Sequence, residues 1–176
     1  FLIWIIFFVC YLYQFYYIAV PFIKKDKPVH NVRENRFAVL ISARNESNVI
    51  GQLLDSINAQ TYNSDLVDVY VVADNCTDNT AEIARAHGAN VYEREDKVYV
   101  GKGYALNYVL NEIRAKFGSD HYDGYFVFDA DNVLDPHYIE EMNKTFCGGY
   151  DALTSYRNSK NYGTNWISAG YALWFL

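Results

Sequence analysis

From Arg36 onward, short apolar runs rich in Val, Ile, Tyr and Phe alternate with stretches of helical spacing, and this alternation constrains the fold more than any other feature. Arg36 to Ser42 (RFAVLIS) reads as a buried strand; Ile50, Leu53, Leu54 and Ile57 then recur at helical spacing behind a polar start at Glu46 to Asn48. Val67 to Val72 is a second strand, and Ala81 to His87 a helix closed by Gly88. A short third strand covers Asn90 to Tyr92, Glu93 to Lys97 is a charged loop, and Tyr104 to Lys116 is a helix ended by Gly118. Tyr125 to Asp129 is the fourth strand, with Asp135 as N-cap and Pro136 at the first position of a helix His137 to Phe146; Ala152 to Tyr156 is a candidate fifth strand. Strands separated by helices of this length imply βαβ crossovers, hence an α/β domain with a mainly parallel sheet covered on both faces.

The polar residues gather where the strands run out. Ala43-Arg44-Asn45-Glu46 follows the first strand, Asp74-Asn75-Cys76-Thr77-Asp78-Asn79-Thr80 the second, and Asp129-Ala130-Asp131 the fourth. Ligands of open α/β sheets bind at the carboxyl ends of strands, so position gives these clusters their weight. Two carboxylates at i and i+2 on an extended backbone point to one side and suit a divalent cation. Asn45 as a helix cap, with Glu46 complementing the helix end, is the plainer reading of the first cluster. In the second, Thr77 or Asp78 suffices as a cap, which leaves Asp74 spare to accept from a ligand N–H. Gly101-Lys102-Gly103 opens a helix and offers close backbone approach with a cation for phosphate, although neither a P-loop nor a G-x-G-x-x-G is present.

The N-terminus is of another kind. Phe1 to Ile23 contains no charge, and at ~1.5 Å per residue such a helix crosses a hydrocarbon core of ~30 Å. Tyr11, Tyr13, Tyr16 and Tyr17 suit a headgroup region, and Pro21 marks the exit. Lys24, Lys25 and Lys27 follow, then Arg33 and Arg36, which by the positive-inside tendency puts the remainder in the cytoplasm at the cell membrane. The organisation read here is a transmembrane helix over 1–23, a basic linker over 24–35 and one α/β domain over 36–176 that is truncated at its C-terminal end. A formal charge of −6 argues against a nucleic-acid partner. Three well-separated cysteines indicate neither a disulfide framework nor a zinc site.

Taken in order, Ala-x-Asn-Glu (Ala43 to Glu46), Asp-Asn-x-Thr-x-Asn-Thr (Asp74 to Thr80), Lys-Gly-x-Ala-Leu-Asn (Lys102 to Asn107) and Asp129-Ala130-Asp131 followed by Asp135-Pro136 resemble the motifs of family 2 glycosyltransferases, the processive polysaccharide synthase-like enzymes of GT-A fold. The resemblance covers roughly Arg36 to Phe146. It implies a GT-A type nucleotide-sugar-binding domain that uses Mg²⁺ or Mn²⁺ and a UDP-sugar donor, with a saccharide or lipid-linked acceptor and inversion at the transferred sugar. Carried over by residue, Asp74 resembles the aspartate that accepts from uracil N3–H, while Ala43, Asn45 and Glu46 resemble a nucleoside-contacting segment. Lys102 resembles the lysine near base and diphosphate, Asp129 the residue facing ribose and metal, and Asp131 the direct metal ligand.

The resemblance stops short of a catalytic base. Inverting members place a later carboxylate in a Glu-Asp motif, then a Gln-x-x-Arg-Trp segment and further membrane helices; none is found here, and Asp151 and the stretch Arg157 to Tyr162 do not resemble them. The chain therefore reads as a donor-binding half, with low activity on its own. A sugar-phosphate nucleotidyltransferase is an alternative, although its first loop would need a glycine- and basic-rich sequence to hold a triphosphate. A non-catalytic nucleotide-binding module is another. Trp166, Ile167, Tyr171, Leu173 and Trp174 are read as core, or else as an apolar helix at the membrane surface.

Overall fold

The computed structural model describes residues 2–23, 31–157 and 166, in two compact units divided after His30. The first is helix α1, Leu2–Ile23, with one 19-residue stretch, Leu2–Val20, long and apolar enough to cross a membrane and with none of it buried. The helix continues two residues past Pro21, which has no N–H to donate to the Tyr17 carbonyl and so costs the last turn one bond.

The second unit contains strands β1 (Phe37–Ala43), β2 (Val67–Asp74), β3 (Asn90–Arg94) and β4 (Gly124–Asp129), and helices α2 (Ile50–Asn58), α3 (Thr80–Ala86), α4 (Lys102–Phe117) and α5 (Tyr138–Phe146). The strands form one sheet in the order β3-β2-β1-β4, every pair parallel, with Phe37 opposite both Val67 and Gly124. Because right-handed crossovers fix which face a helix covers, reversing the direction of strand addition moves the helix to the other face. That is observed: α2 and α3 pack Ile50, Leu53, Leu54, Ile57 and Ala84 against Val39, Ile41, Val71 and Phe128, whereas α4 packs Ala105, Val109 and Ile113 against Ala38, Leu40, Tyr70 and Val72. β1 is sandwiched and buried along nearly its whole length. Each fully buried Leu or Ile contributes about 1.5–3 kcal/mol.

α4 covers β1 and β2 but not β4, so Tyr125, Val127 and Asp129 stay exposed on that side while Phe128 and Ala130 face the core. The strand ends at Asp129, and Ala130 and Asp131 lie in the turn that follows, with Ala130 buried and both carboxylates exposed. α3 ends as expected: Gly88, at φ 85°, donates to the Arg85 carbonyl and Ala89 to that of Ala84.

Several sequence expectations need correction. Ala152 to Tyr156 forms no strand; the stretch lines an open groove beside β4 without a ladder. α4 begins at Lys102, two residues before Tyr104, so the lysine lies in the first turn rather than in the loop. α5 is capped at position His137, with Pro136 one residue outside; Asp135 instead accepts from the His137 amide at 2.9 Å, closing the preceding turn. Of the aromatic cluster near the C-terminus, Ile167, Tyr171, Leu173 and Trp174 lie outside the described residues, as do Asn158 to Tyr162 and Lys24 to Lys27.

Candidate functional site

The strand order turns at β1, with β2 on one side and β4 on the other, and the carboxyl ends of these strands are where ligands of open α/β sheets bind. Asp74 ends β2, Ala43 ends β1 and Asp129 ends β4. Asp74 and Asp129 are thus two strand spacings apart, about 10 Å at ~4.8 Å each.

The loops after β1 and β2 are built as one piece. Asn45 and Asn75 both sit in the left-handed region, at φ 57° and 53°, where a short amide side chain is tolerated and can bond locally. Asn45 Oδ1 accepts from the Thr77 amide at 2.8 Å; in return the Glu46 amide donates to Thr80 Oγ1 at 2.9 Å and the Ser47 amide to Asp78 Oδ2 at 3.2 Å. Cys76 Sγ accepts from the Asn45 amide at 3.4 Å and lies 3.5 Å from the Ala43 carbonyl. Asn45 therefore does not cap α2, whose cap position is Val49 with no side-chain bond. Asp78 takes the helix-entry role at α3, since its Oδ1 accepts from the Thr80 amide and hydroxyl. The Thr80 hydroxyl bond, more than any other influence, holds the Asp78 carboxyl down at about 2, with the Ser47 bond acting in the same direction. Ala43 is buried in the core and lends this edge only backbone, while Asn45 is exposed and Glu46 half-buried.

Asp74 is not spare. The residue is 3% exposed, and its Oδ1 accepts from Arg94 Nη1 at 2.6 Å and from Asn75 Nδ2 at 3.2 Å. Arg94 was hidden in the charged stretch read as loop; the signal that exposes it is the parallel register, which sets Arg94 directly across from Asp74. Two strands away, Lys102 in the first turn of α4 is ion-paired with Asp129 Oδ1. Asp131 is exposed in the turn after β4, where the Asn132 amide donates to the Asp129 carbonyl at 3.1 Å.

Among the described residues no three His, Cys, Asp or Glu side chains cluster tightly enough to cage a metal. Asp129 and Asp131 nonetheless fit a hard cation that takes one or two carboxylates and completes its shell with water and phosphate.

A family model described as glycosyltransferase-like family 2 matches residues 35–176. The chain belongs to this family. A 4,4'-diaponeurosporenoate glycosyltransferase of Staphylococcus aureus is 40% identical over 78 residues, which cover 43% of this chain and 20% of that protein. Curated relatives matched over longer stretches are likewise spanned for only about a quarter of their length. Two solved structures share the fold. The Pyrobaculum calidifontis mannosyltransferase PcManGT, in complex with GDP-Man and Mn²⁺, has a TM-score of 0.56 at 24% identity over 76% of this chain and 38% of its own. S. aureus TarS with UDP-GlcNAc has a TM-score of 0.51 at 18% identity over 72% of this chain and 41% of its own. The glycosyltransferase motifs quoted from the sequence thus sit on a fold of the expected class.

Proposed function

We propose that this chain is the donor-binding half of a membrane-anchored, inverting glycosyltransferase that takes its sugar from a UDP-sugar. The observation that carries the proposal is that, in a member of this family, Asp74 and Asp129 end the strands on either side of β1 at the same edge of one parallel sheet, with Lys102 ion-paired to Asp129 and Asp131 two residues beyond it. Structural relatives bind a UDP-sugar in one case and GDP-Man with Mn²⁺ in the other, which supports a nucleotide-sugar and a divalent metal as the ligands.

Each residue has a physical task in this reading. Asp74 accepts from the base. The Asn45 and Glu46 segment, locked to the β2–α3 loop, forms a rigid wall for the nucleoside. Lys102 exchanges its bond to Asp129 for a phosphate oxygen, helped by the amides of Lys102 and Gly103 at the start of α4. Asp129 and Asp131 would hold the Mg²⁺ or Mn²⁺. Bound there, the metal supplies Lewis-acid neutralisation of the departing diphosphate. The acceptor, a saccharide or a lipid-linked molecule, enters from the exposed side of β4, where Asp131, Asp151 and Tyr156 line an open groove. The span Leu2–Val20 and the basic residues after it support attachment to the cell membrane with the domain on the cytoplasmic side.

Calorimetry of the detergent-solubilised chain with UDP and Mn²⁺ tests the reading. Saturable, metal-assisted UDP binding is expected; a folded sample that binds neither would favour a non-catalytic module.

A further inference from the structure

Arg94 does more than neutralise Asp74. Its Nη2 donates to Asp96 Oδ2 at 2.9 Å and to the Tyr99 carbonyl at 2.7 Å, while Asp96 Oδ1 accepts from the amides of Val98 and Tyr99 at 2.8 and 2.9 Å. Asn75 closes the ring, exchanging bonds with the Asp96 backbone at 3.0 Å in both directions. The guanidinium is thereby fixed, its side chain only 10% exposed and that of Asp74 only 4%. Both bonds onto Asp74 fall on Oδ1. Oδ2 accepts none from the described residues and is the carboxylate oxygen left for a ligand at the strand end.

We infer that Arg94 is a specificity-determining residue for the nucleobase: by occupying Oδ1 it leaves Asp74 a single outward acceptor, which selects uracil over guanine and cytosine. The inference rests on the nucleotide-sugar reading above and deepens it. Uracil has one ring N–H, at N3, and one free oxygen meets it. Guanine presents two adjacent donors, N1–H and the 2-amino group, which match a carboxylate only when both oxygens are available. With Oδ1 taken, one guanine donor is left without a partner, a loss of about tenfold or more in affinity. Cytosine turns a lone pair at N3 toward the carboxylate, acceptor against acceptor. A planar guanidinium fork with three acceptors holds the carboxylate in one rotamer, which a lysine cannot do. The same fork anchors the loop that leads to Lys102, so base recognition and phosphate recognition share one support.

The experiment is calorimetric titration of UDP, GDP and CDP, each with Mn²⁺, into the full chain and into R94Q, R94K, D74N and D74N/R94Q, with circular dichroism melts to establish folding. The parent should bind UDP about tenfold or more tightly than GDP or CDP. R94Q should weaken UDP and bring the UDP-to-GDP ratio toward one, with R94K intermediate. In D74N, Arg94 keeps the amide oxygen at the Oδ1 position and turns the amide N–H outward, so preference should move from UDP to CDP; in D74N/R94Q that reversal should vanish because the amide is free to turn. A parent that binds none of the three nucleotides removes the nucleotide-sugar reading itself. A parent that binds UDP while folded R94Q and R94K keep its base preference, or a D74N that gains nothing for CDP, overturns this inference alone. Should R94Q fail to fold, D74N, in which Arg94 is intact, decides the matter.

Discussion

The Lys102 ammonium is ion-paired with the Asp129 carboxylate, joining the first turn of α4 to the last residue of β4. Both side chains are about half exposed, 45% and 52%, so the pair itself contributes little stability, about 0–1 kcal/mol. Its consequence is competitive. A metal alone must displace the lysine, whereas a metal arriving with a diphosphate offers the lysine a new partner. K102A should therefore bind Mn²⁺ alone more tightly than the parent yet bind UDP with Mn²⁺ about tenfold more weakly. D131A should lose about tenfold in metal-assisted UDP binding and nothing in metal-free binding. Calorimetry with and without Mn²⁺ reads both; a D131A that matches the parent in the presence of metal would remove Asp131 as a ligand.

Thr80 is fully buried, and its hydroxyl accepts from the Glu46 amide at 2.9 Å and donates to Asp78 at 2.5 Å. Valine has the same outline without the oxygen, so T80V keeps the packing and strands the Glu46 amide. The expected cost is about 1–3 kcal/mol in urea unfolding, with T80S close to the parent. If T80V and the parent unfold at the same urea concentration, the two loops are not held by this hydroxyl.

Why part of this site was legible in the sequence, and part was not, follows from which interactions are local. The run RFAVLIS, the alternation through Phe126 to Asp129 and the stop at Gly88 each report on a few neighbouring residues, and they make these strands and the helix end legible. The strand order was not, because it depends on pairing between distant segments. For the same reason the sequence shows Asp74 as spare and Arg94 as a loop charge: the partner lies 20 residues away and meets it only through sheet register. Asn45 resembled a cap because its position before a helix is the local signal, whereas its bond goes to Thr77, 32 residues on. Ala152 to Tyr156 has the composition of a strand but forms no ladder here.

Asp78 makes a prediction about acid. Its carboxyl is held at about 2, first by the Thr80 hydroxyl, and a group whose folded pKa lies below its unfolded value of about 3.9 stabilises the fold above that value. The contribution is present at neutral pH and is lost as pH falls from about 4 toward 2. D78N should unfold at lower urea than the parent at pH 7, and its stability should fall less steeply over that acid window. Asp96, held down by the Tyr99 and Val98 amides, and Glu140, held down by Lys144 and Thr61, retain part of the slope. Urea midpoints between pH 2 and pH 7 provide the check. Equal slopes in parent and D78N would mean that Asp78 keeps its bonds in the unfolded chain or lacks them in the folded one.

The last prediction concerns how β1 is held at its start. Asn35 and Asn143 are 1% and 2% exposed, and Asn35 Nδ2 donates to Asn143 Oδ1 at 2.7 Å across 108 residues of chain. Asn143 Nδ2 donates to the Arg33 carbonyl at 2.8 Å, and Arg33 Nε donates to Asn35 Oδ1 at 2.8 Å. The Tyr62 hydroxyl accepts from the Asn35 amide at 2.7 Å and donates to its carbonyl at 2.8 Å. These bonds form a closed set in which removing one amide leaves buried partners unpaired, at about 1–3 kcal/mol. N35A and N143A should each cost that much, and the double variant should cost less than their sum by about 0.5 kcal/mol or more, since the second truncation removes a group the first had already stranded. Because the amides carry no charge, the coupling should be unchanged by raised salt. Strict additivity in urea unfolding would show that the two side chains stabilise the entry to β1 independently, and the direct bond between them would then contribute nothing measurable.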